Sequence, residues 1–547
     1  MPLPGKNDTL YLPPVIETIP TLVNKTGLWR FLTPVRKDKL SPCRALCPLE
    51  SGIPLWMEKV KKGNWKQAWQ VMERFNPFPA LTGYACYQFC RSECSRGKWD
   101  EALNIREIEK AVGLWRQENY RLDRVEKRPA RGKNHPPRVV VIGSGPAGLS
   151  SAYYLSRMGA EVTVLEKEPA AGGLLATGIP GYRLPRMVLE KELTILQDEG
   201  IIIKTGVEVG KDFLLNDLAA NCEALLLAVG AGRDRRLHVP GDNLPGVMGA
   251  IEFLKEINLS RGANVSGTVV VVGGGNAAVD AATAAALSGA EEVFLVYRRS
   301  KEAMPAHPEE VQAAGEAGVQ FLFNAVLDEI HGSLRVEKAS FSKVQPSQRG
   351  DEIRRIPGEG FTIECQMIIA ATGQQGSLPG LVPLPEIAAG KDAAFLETGC
   401  CLLAAGDAVT GPSNIASAIF GGRRAALKLA EILWETGDLE SSLLPAPALK
   451  KGQGLVSFAS LNPSLYPQQR ALTHPQEEAA RCFGCGNCHN CGVCWAFCPD
   501  LAIEYRNGSY EFQLDYCKGC GICAAECPAG VLFMEEVHRP GTKINER

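Results

Sequence analysis

Between Arg138 and about Leu444 the chain alternates short, wholly apolar runs with glycine-rich turns and helical stretches. The runs RVVVI (138–142) and GTVVVV (267–272) lack the in–out alternation of a half-exposed strand. They suit strands of a parallel sheet covered on both faces. Each leads into a glycine cluster, a helical segment (LSSAYYLSRMG, then VDAATAAALSGA) and a further strand (EVTVLE, then VFLVYRR). This repeated order predicts doubly wound α/β units. Ala371–Gly373 returns the chain to the first unit, so the second is expected as an insertion in it.

The flanks have a different pattern. Residues 1–134 mix helical periodicity with five cysteines and end in the Pro/Arg/Lys-rich stretch KRPARGKNHPP. Residues 445–475 are rich in Pro, Gln and Ser and read as a linker. The expected division is 1–134, helical; 135–260 and 374–444, the two parts of the first α/β domain; 261–373, the second; 445–475, the linker; and 476–547, a cysteine-rich terminal domain.

A formal charge of −2 over 547 residues gives no reason to expect nucleic acid or an anionic membrane as partner. No apolar stretch approaches the roughly 18 residues that span a bilayer. The opening MPLPGKNDTL lacks the charged-then-apolar layout of an export signal, so a cytoplasmic location is expected.

The two glycine clusters carry chemistry. In the first, Gly143 makes a tight turn, Gly145 lets a pyrophosphate approach the backbone, and Gly148 lets helix and strand pack closely. Pro146 and Ala147 open the helix, whose free N–H groups face the phosphates. Glu166, at the end of the second strand, is placed for a ribose hydroxyl. In the second cluster Gly273, Gly275, Asn276 and Ala277 repeat the device, but the following strand ends in Arg298 and Arg299. A guanidinium pair there suits a ribose 2′-phosphate and predicts NADP(H) rather than NAD(H).

Nineteen cysteines in a large chain without an export signal point to metal ligation more than to disulfides. Fifteen fall at 43–94 and 482–527, while Cys222, Cys365, Cys400 and Cys401 lie scattered and read as packing residues. Cys488-x2-Cys491-x2-Cys494-x3-Cys498-Pro and Cys517-x2-Cys520-x2-Cys523-x3-Cys527-Pro are two copies of the bacterial ferredoxin run. In such runs the cysteine before proline serves the other cluster. One [4Fe-4S] set is therefore Cys488, Cys491, Cys494 and Cys527, and the other Cys517, Cys520, Cys523 and Cys498. Cys482 and Cys485, just upstream, are read as packing against the cluster, with a ligand role left open by the spacing.

The segment GGLLATGIPGYRLP after Glu166, together with GDAVTGPSNIASAIFGG near the end of the section, resembles two-dinucleotide-domain flavoproteins. That resemblance implies FAD in the first unit. Asp407 would bond the flavin's ribityl or phosphate region, and the backbone of Ile415 and Ala416 would face the ring. Lys167, Gly173, Leu174 and Arg183 would be further cofactor contacts. With GSGPAGL, GGGNAAVDAA and YRRSKEAMPAHPEEV, residues 40–440 resemble the small subunit of bacterial glutamate synthase. The same module occurs in dihydropyrimidine dehydrogenase and in flavin-based ferredoxin:NADP transhydrogenases.

The resemblance implies a helical [4Fe-4S] domain beside FAD, and NADPH as the nucleotide. The two cysteines usually found upstream of Cys43 are absent, which implies one cluster in this domain. Its ligands would be Cys47, Cys86 and Cys90, with Cys43, Cys94 or Glu109 as the fourth. The expected fold is multidomain: an α-helical iron–sulfur domain, two Rossmann-like α/β domains, one inserted in the other, and a C-terminal α+β 2[4Fe-4S] ferredoxin domain.

The expected function is an electron-transfer subunit of a hetero-oligomer linking NADP(H) to a larger oxidoreductase subunit or a soluble ferredoxin. Two rivals stand beside it: an electron-bifurcating transhydrogenase, and a non-catalytic scaffold with a vestigial nucleotide site. Hydride transfer to a flavin requires no acid–base residue, so no catalytic side chain is named. No Cys-x-x-Cys occurs in the α/β section, so electrons must leave the flavin by the clusters rather than through a disulfide.

Overall fold

The computed structural model describes residues 25–123, 135–231, 233–259, 265–346, 352–375, 394–396, 398–434, 454–466 and 468–537. The start of the chain, most of KRPARGKNHPP and the first part of the 445–475 linker lie outside these.

The helical domain is built on α1 (Pro42–Leu46), α2 (Ile53–Lys61), α3 (Trp65–Met72), α4 (Pro79–Ala85), α5 (Phe89–Ser92) and α6 (Ile105–Asn119). Its apolar stripe at helical spacing, including Trp56, Met57, Val60, Trp69, Ile108 and Val112, forms one core. Two glycines let α4 lie directly on α6: a Cβ at Gly83 would stand 2.4 Å from Lys110 Cβ, and one at Gly113 2.1 Å from the Ala80 nitrogen. This close approach brings the end of α4, and so Cys86, to the first turns of α6.

The first α/β unit has a six-stranded sheet in the order Ala394–Phe395, Cys401–Ala404, Ala224–Leu227, Arg138–Ile142, Glu161–Leu165, Ile202–Lys204. All neighbours are parallel except the Ala394–Phe395 edge. Ala224–Leu227 and Cys401–Ala404 are buried throughout, as their unbroken apolar runs require. α7 (Pro146–Arg157) and α9 (Ile415–Trp434) pack together, and Gly422 allows it: its Cβ would lie 2.1 Å from the Ala147 carbonyl oxygen.

The second unit holds five parallel strands in the order Val319–Phe323, Glu292–Tyr297, Thr268–Val272, Met367–Ala370, Val247–Gly249. α8 (Asn276–Leu287) follows its glycine cluster, and a three-stranded antiparallel sheet, Ala325–His331, Lys338–Val344 and Arg355–Glu364, stands beside it. The two passages between the units pair as a short antiparallel ribbon, Arg233–Asp234 with Gln374–Gln375.

At the C-terminal end Ile503–Arg506 and Ser509–Phe512 form a hairpin. The strand Leu532–Glu536 pairs antiparallel with Leu32–Arg36, from the opposite end of the chain. Among the described residues no helix is long and apolar enough to cross a membrane.

Candidate functional sites

The first glycine cluster forms a cradle whose shape follows from side chains that are missing. Gly143 takes φ +103°, and a Cβ there would stand 2.4 Å from the Ala228 carbonyl oxygen. At Gly148 a Cβ would lie 2.0 Å from the Gly143 oxygen. Around Gly145, the N-cap of α7, nothing lies within 4 Å of that position, which leaves room for a phosphate at the helix N-terminus. Pro146 occupies the first helical position, where its absent N–H costs nothing.

Glu166 is buried, and each of its oxygens is engaged. Oε2 accepts from the Ser144 backbone N–H at 2.9 Å and from its hydroxyl at 2.5 Å, and Oε1 accepts from the Glu168 N–H at 2.9 Å. The acid is thus pinned to the loop it serves. Gly173 crosses over the loop, and its Cβ would meet Gly145 Cα at 2.7 Å. Leu174 begins a short helix, and Lys167 is exposed. Asp407 accepts from the Ser413 hydroxyl at 2.5 Å, and burial pushes its carboxyl above the usual carboxylate range. Gly406 before it abuts Ala147, and Ile415 starts α9, so this segment borders the same cradle.

The second cradle repeats these contacts. A Cβ at Gly273 would stand 2.3 Å from the Ala371 carbonyl oxygen, and one at Gly274 2.3 Å from the Tyr297 ring, while Gly275 is open. The Asn276 side chain accepts from the His307 N–H at 2.8 Å, tying the loop to the segment after Arg298 and Arg299. Arg298 is exposed and Arg299 half-buried at the strand end.

Arg183 has a different surrounding from that of a simple flavin contact. Its guanidinium bridges Asp280 on α8 at 2.6 Å and Glu310 at 2.5 Å, clasping the two α/β units together. Tyr87 of the helical domain lies under Arg183 and stacks on His307, with ring centroids 5.9 Å apart. Three domains meet here. Sequence reasoning missed Asp280, Glu310, Tyr87 and His307, because the pairing joins residues almost one hundred positions apart. The EE and MP…H elements of the second unit carried the only signal.

In the helical domain, Cys47, Cys86 and Cys90 gather around Glu109. Burial, then the Glu109 charge, pushes the Cys86 thiol up to about 12. Cys90 is driven well above its ordinary value by burial and then by Cys47 and Cys86. Cys47 is pushed up to about 11, chiefly by burial. Burial likewise raises Glu109 to about 7, against hydrogen bonds from Asn76 at 2.7 Å and Thr82 at 3.1 Å. Three buried thiols and a buried carboxyl gathered at one place are a donor set an iron–sulfur cluster could take as thiolates and carboxylate. Cys43 and Cys94 stand to one side of this set, near Cys482 and Cys485.

The C-terminal thiols sort into two groups. Cys494 is raised first by burial and then by Cys491, Cys527 and Cys488; Cys523 by burial and then by Cys517, Cys494, Cys520 and Cys498. Cys498, Cys517, Cys520 and Cys523 line one cavity closed by Pro34, Ile503 and Phe512. Among the described residues no three His, Cys, Asp or Glu side chains converge on a single metal ion. A cubane spaces its thiolates more widely, one to each iron.

Three family models match in sequence order: dihydropyrimidine dehydrogenase domain II, 4Fe-4S cluster, over residues 37–120; pyridine nucleotide-disulphide oxidoreductase over 137–422; and 4Fe-4S binding domain over 510–533. The chain is 33% identical over 435 residues to the NADP(+)-dependent formate dehydrogenase subunit beta of Moorella thermoacetica, covering 72% of this chain and 60% of that one. It is 31% identical over 506 residues to the NADPH-Fe(3+) oxidoreductase subunit beta of Geobacter sulfurreducens, covering 82% and 74%. It is also 31% identical to the glutamate synthase [NADPH] small chain of Halomonas elongata, covering 70% and 86%. Two open phosphate cradles, two groups of iron–sulfur thiols and these matches converge: the chain belongs to the pyridine nucleotide-disulphide oxidoreductase family, as an NAD(P)H-linked FAD and [4Fe-4S] oxidoreductase of the glutamate synthase small-chain type.

Proposed function

We propose that the chain is the subunit that moves electrons between NADP(H) and a partner oxidoreductase or soluble ferredoxin, within a hetero-oligomer. The observation that carries this reading is the continuity of its parts. The thiols around Glu109 sit in a helical domain fastened directly to the first cradle. Tyr154 of α7 donates to the Glu73 carbonyl oxygen at 2.8 Å, Arg157 pairs with the Glu73 carboxylate at 2.8 Å, and Arg423 of α9 donates to the Arg74 carbonyl oxygen at 3.2 Å. Arg116 and Glu192 add a buried ion pair at 2.5 Å across the same boundary. The relatives named as subunits beta or as a small chain support the place in a larger assembly.

A bound flavin would supply exchange of one hydride, two electrons with a proton, with the nucleotide and of single electrons with the clusters. This chain's residues bind and orient. Gly143, Gly145, Pro146, Ala147 and Gly148 face the flavin's pyrophosphate, Glu166 its ribose, and Gly173, Asp407 and Ile415 its remaining length. Gly273, Gly275, Asn276 and Ala277 face the nicotinamide nucleotide's pyrophosphate, and Arg298 and Arg299 hold its 2′-phosphate. Glu109 completes the donor set of Cys47, Cys86 and Cys90. In the terminal domain, Cys488, Cys491, Cys494 and Cys527 hold one cubane, and Cys498, Cys517, Cys520 and Cys523 the other.

Rapid anaerobic mixing with NADPH tests the reading. The yellow flavin band should bleach and the broad iron–sulfur absorbance should follow, and no bleaching would refute it. Cys527→Ser should disturb the cluster held by the first cysteine run, and a loss confined to the second would contradict the crossed ligation.

A further inference from the structure

We propose that Cys43, Cys94, Cys482 and Cys485 together ligate an additional [4Fe-4S] cluster, with thiolates drawn from the two ends of the chain. Cys43 lies in α1, and Cys94 caps the helical turn Ser95–Lys98. The Cys482-x2-Cys485 pair follows the helix Pro475–Ala480, which packs against α2 and α6 of the helical domain. Ala479 is buried in that domain's core, and Cys482 lies against the same cluster as Cys43 and Cys94. Cys485 is itself buried, and its thiol is bonded to Ser95, the residue after Cys94. The four thiols therefore meet at one face of the helical domain's core.

A buried ionic network fixes this meeting of the two ends. Arg96 and Arg481, both essentially inaccessible, share Asp100, with Arg96 at 2.6 Å and Arg481 at 3.3 Å. Arg96 also donates to the Arg481 carbonyl oxygen, immediately before Cys482, at 3.1 Å. Arg481 pairs with buried Glu478 at 2.9 Å, and Glu478 accepts from the Asn104 N–H of the helical domain at 2.8 Å. On the far side of the pair, the Lys39 N–H donates to the Gly486 carbonyl oxygen at 2.8 Å. Buried charge of this kind contributes little net stability compared with apolar packing, but it fixes geometry. Here it holds two backbone segments some 385 residues apart at the register that gathers four thiols. The Gly484 N–H points at the Cys482 sulfur at 3.4 Å, the kind of bond that orients a thiolate ligand.

The site also has a place between its neighbours. Cys90, of the set around Glu109, is within reach of Cys43. On the other side the half-buried Tyr466 packs against the core that holds Cys485 and lies near Cys482 and Cys491 of the first ferredoxin run. With this fourth set, all fifteen clustered cysteines have a cluster: three with Glu109, four here, eight in the ferredoxin domain. The chain then offers an unbroken relay from the flavin side to the terminal domain. Single electrons pass along it, each reduction matched by oxidation of the cluster before it, and no bond is made or broken. The relay role rests on the electron-transfer reading above; the metal site does not.

The test is iron and acid-labile sulfide on the anaerobically purified full chain. About sixteen irons are expected, four per cubane, against about twelve without this site. Cys482→Ser with Cys485→Ser, and separately Cys43→Ser at the other end, should each lower the count by about four, with FAD content and the terminal clusters' paramagnetic signals retained. A wild-type count near twelve, an unchanged count in these variants, or zinc in place of iron would overturn the assignment. Diffraction at the iron absorption edge on the unaltered chain needs no variant to fold: iron density between Cys94 and Cys485 is expected, and its absence refutes the site. If flavin in the wild type fails to bleach with NADPH while the iron is present, the electron-transfer reading falls and the site stands.

Discussion

The two glycine cradles share a phosphate end and differ at the ribose end. In both, the first glycine lies against the carbonyl oxygen of a neighbouring strand's end, Ala228 for Gly143 and Ala371 for Gly273, and the third position before the helix is open. At the ribose end, Glu166 is buried and held by three donors, while Arg298 is exposed and Arg299 half-buried. The helix contacts differ too. Gly148 could not carry even a methyl group, whereas its counterpart in the second cradle is already Ala278. A pinned, enclosed acid suits a cofactor that stays. Accessible arginines suit one that must arrive, react and leave.

The sharpest way to break this comparison is at the tightest point. Gly148→Ala should give a chain purified without flavin, read from its visible spectrum, while Ala278→Gly should leave nucleotide binding nearly unchanged. Equal tolerance at both positions would mean the cradles are not distinct in kind. Next in size, Arg298→Ala with Arg299→Ala should raise KM for NADPH about tenfold or more, the loss of about 1.4 kcal/mol or more of phosphate contact, with KM for NADH little altered. Equal effects on the two nucleotides would refute the 2′-phosphate assignment.

A smaller effect is expected where the cradles are joined. Arg183→Ala should slow flavin reduction several-fold without changing flavin content, because the clasp to Asp280 and Glu310 sets how the units face each other. Loss of flavin in this variant would instead make Arg183 a direct contact of the first cradle. The smallest concerns pH. Burial, with Asp280 and Glu309 close by, pushes Glu310 up to about 7 against the pull of Arg183 and Arg106. The folded chain therefore holds this proton more tightly than the unfolded one. The resulting stability is full below the unfolded carboxyl's pKa of about 4.3 and is lost as pH rises through about 7. Glu310→Gln should flatten that slope in thermal melts between about pH 5 and pH 8. An unchanged slope would show that Glu310 does not titrate in that window.

The strands, both glycine loops and the ferredoxin runs were legible because each is a local pattern. Gly143 and Gly148 must be glycine for reasons that lie within about ten residues or on the adjoining strand, and a period-two or period-3.6 reading finds them. Glu109 was legible only as one of three candidates. The α4–α6 contact that brings it to Cys86, made by Gly83 and Gly113, is something no spacing reports. Cys482 and Cys485 read as packing against the ferredoxin cluster, with a ligand role left open, because the helical-domain segments they meet, at Cys43 and Cys94, lie roughly 390–440 residues away in sequence. Arg183 shows a related limit: its pairing with two carboxylates of the other unit, Asp280 and Glu310, leaves no mark in the local sequence. The strand Leu32–Arg36 carried no such signal at all, since a five-residue edge strand shows its partner only in three dimensions.

That strand has a consequence for how the molecule is made. Its partner, Leu532–Glu536, lies about 500 residues further on. At about 5–20 residues per second of synthesis, the early strand leaves the ribosome roughly 25–100 s before the late one exists. For that time its edge is unpaired beside exposed Leu28, Trp29 and Phe31, an invitation to bind other nascent chains. Any product released before Leu532–Glu536 is made keeps that open edge.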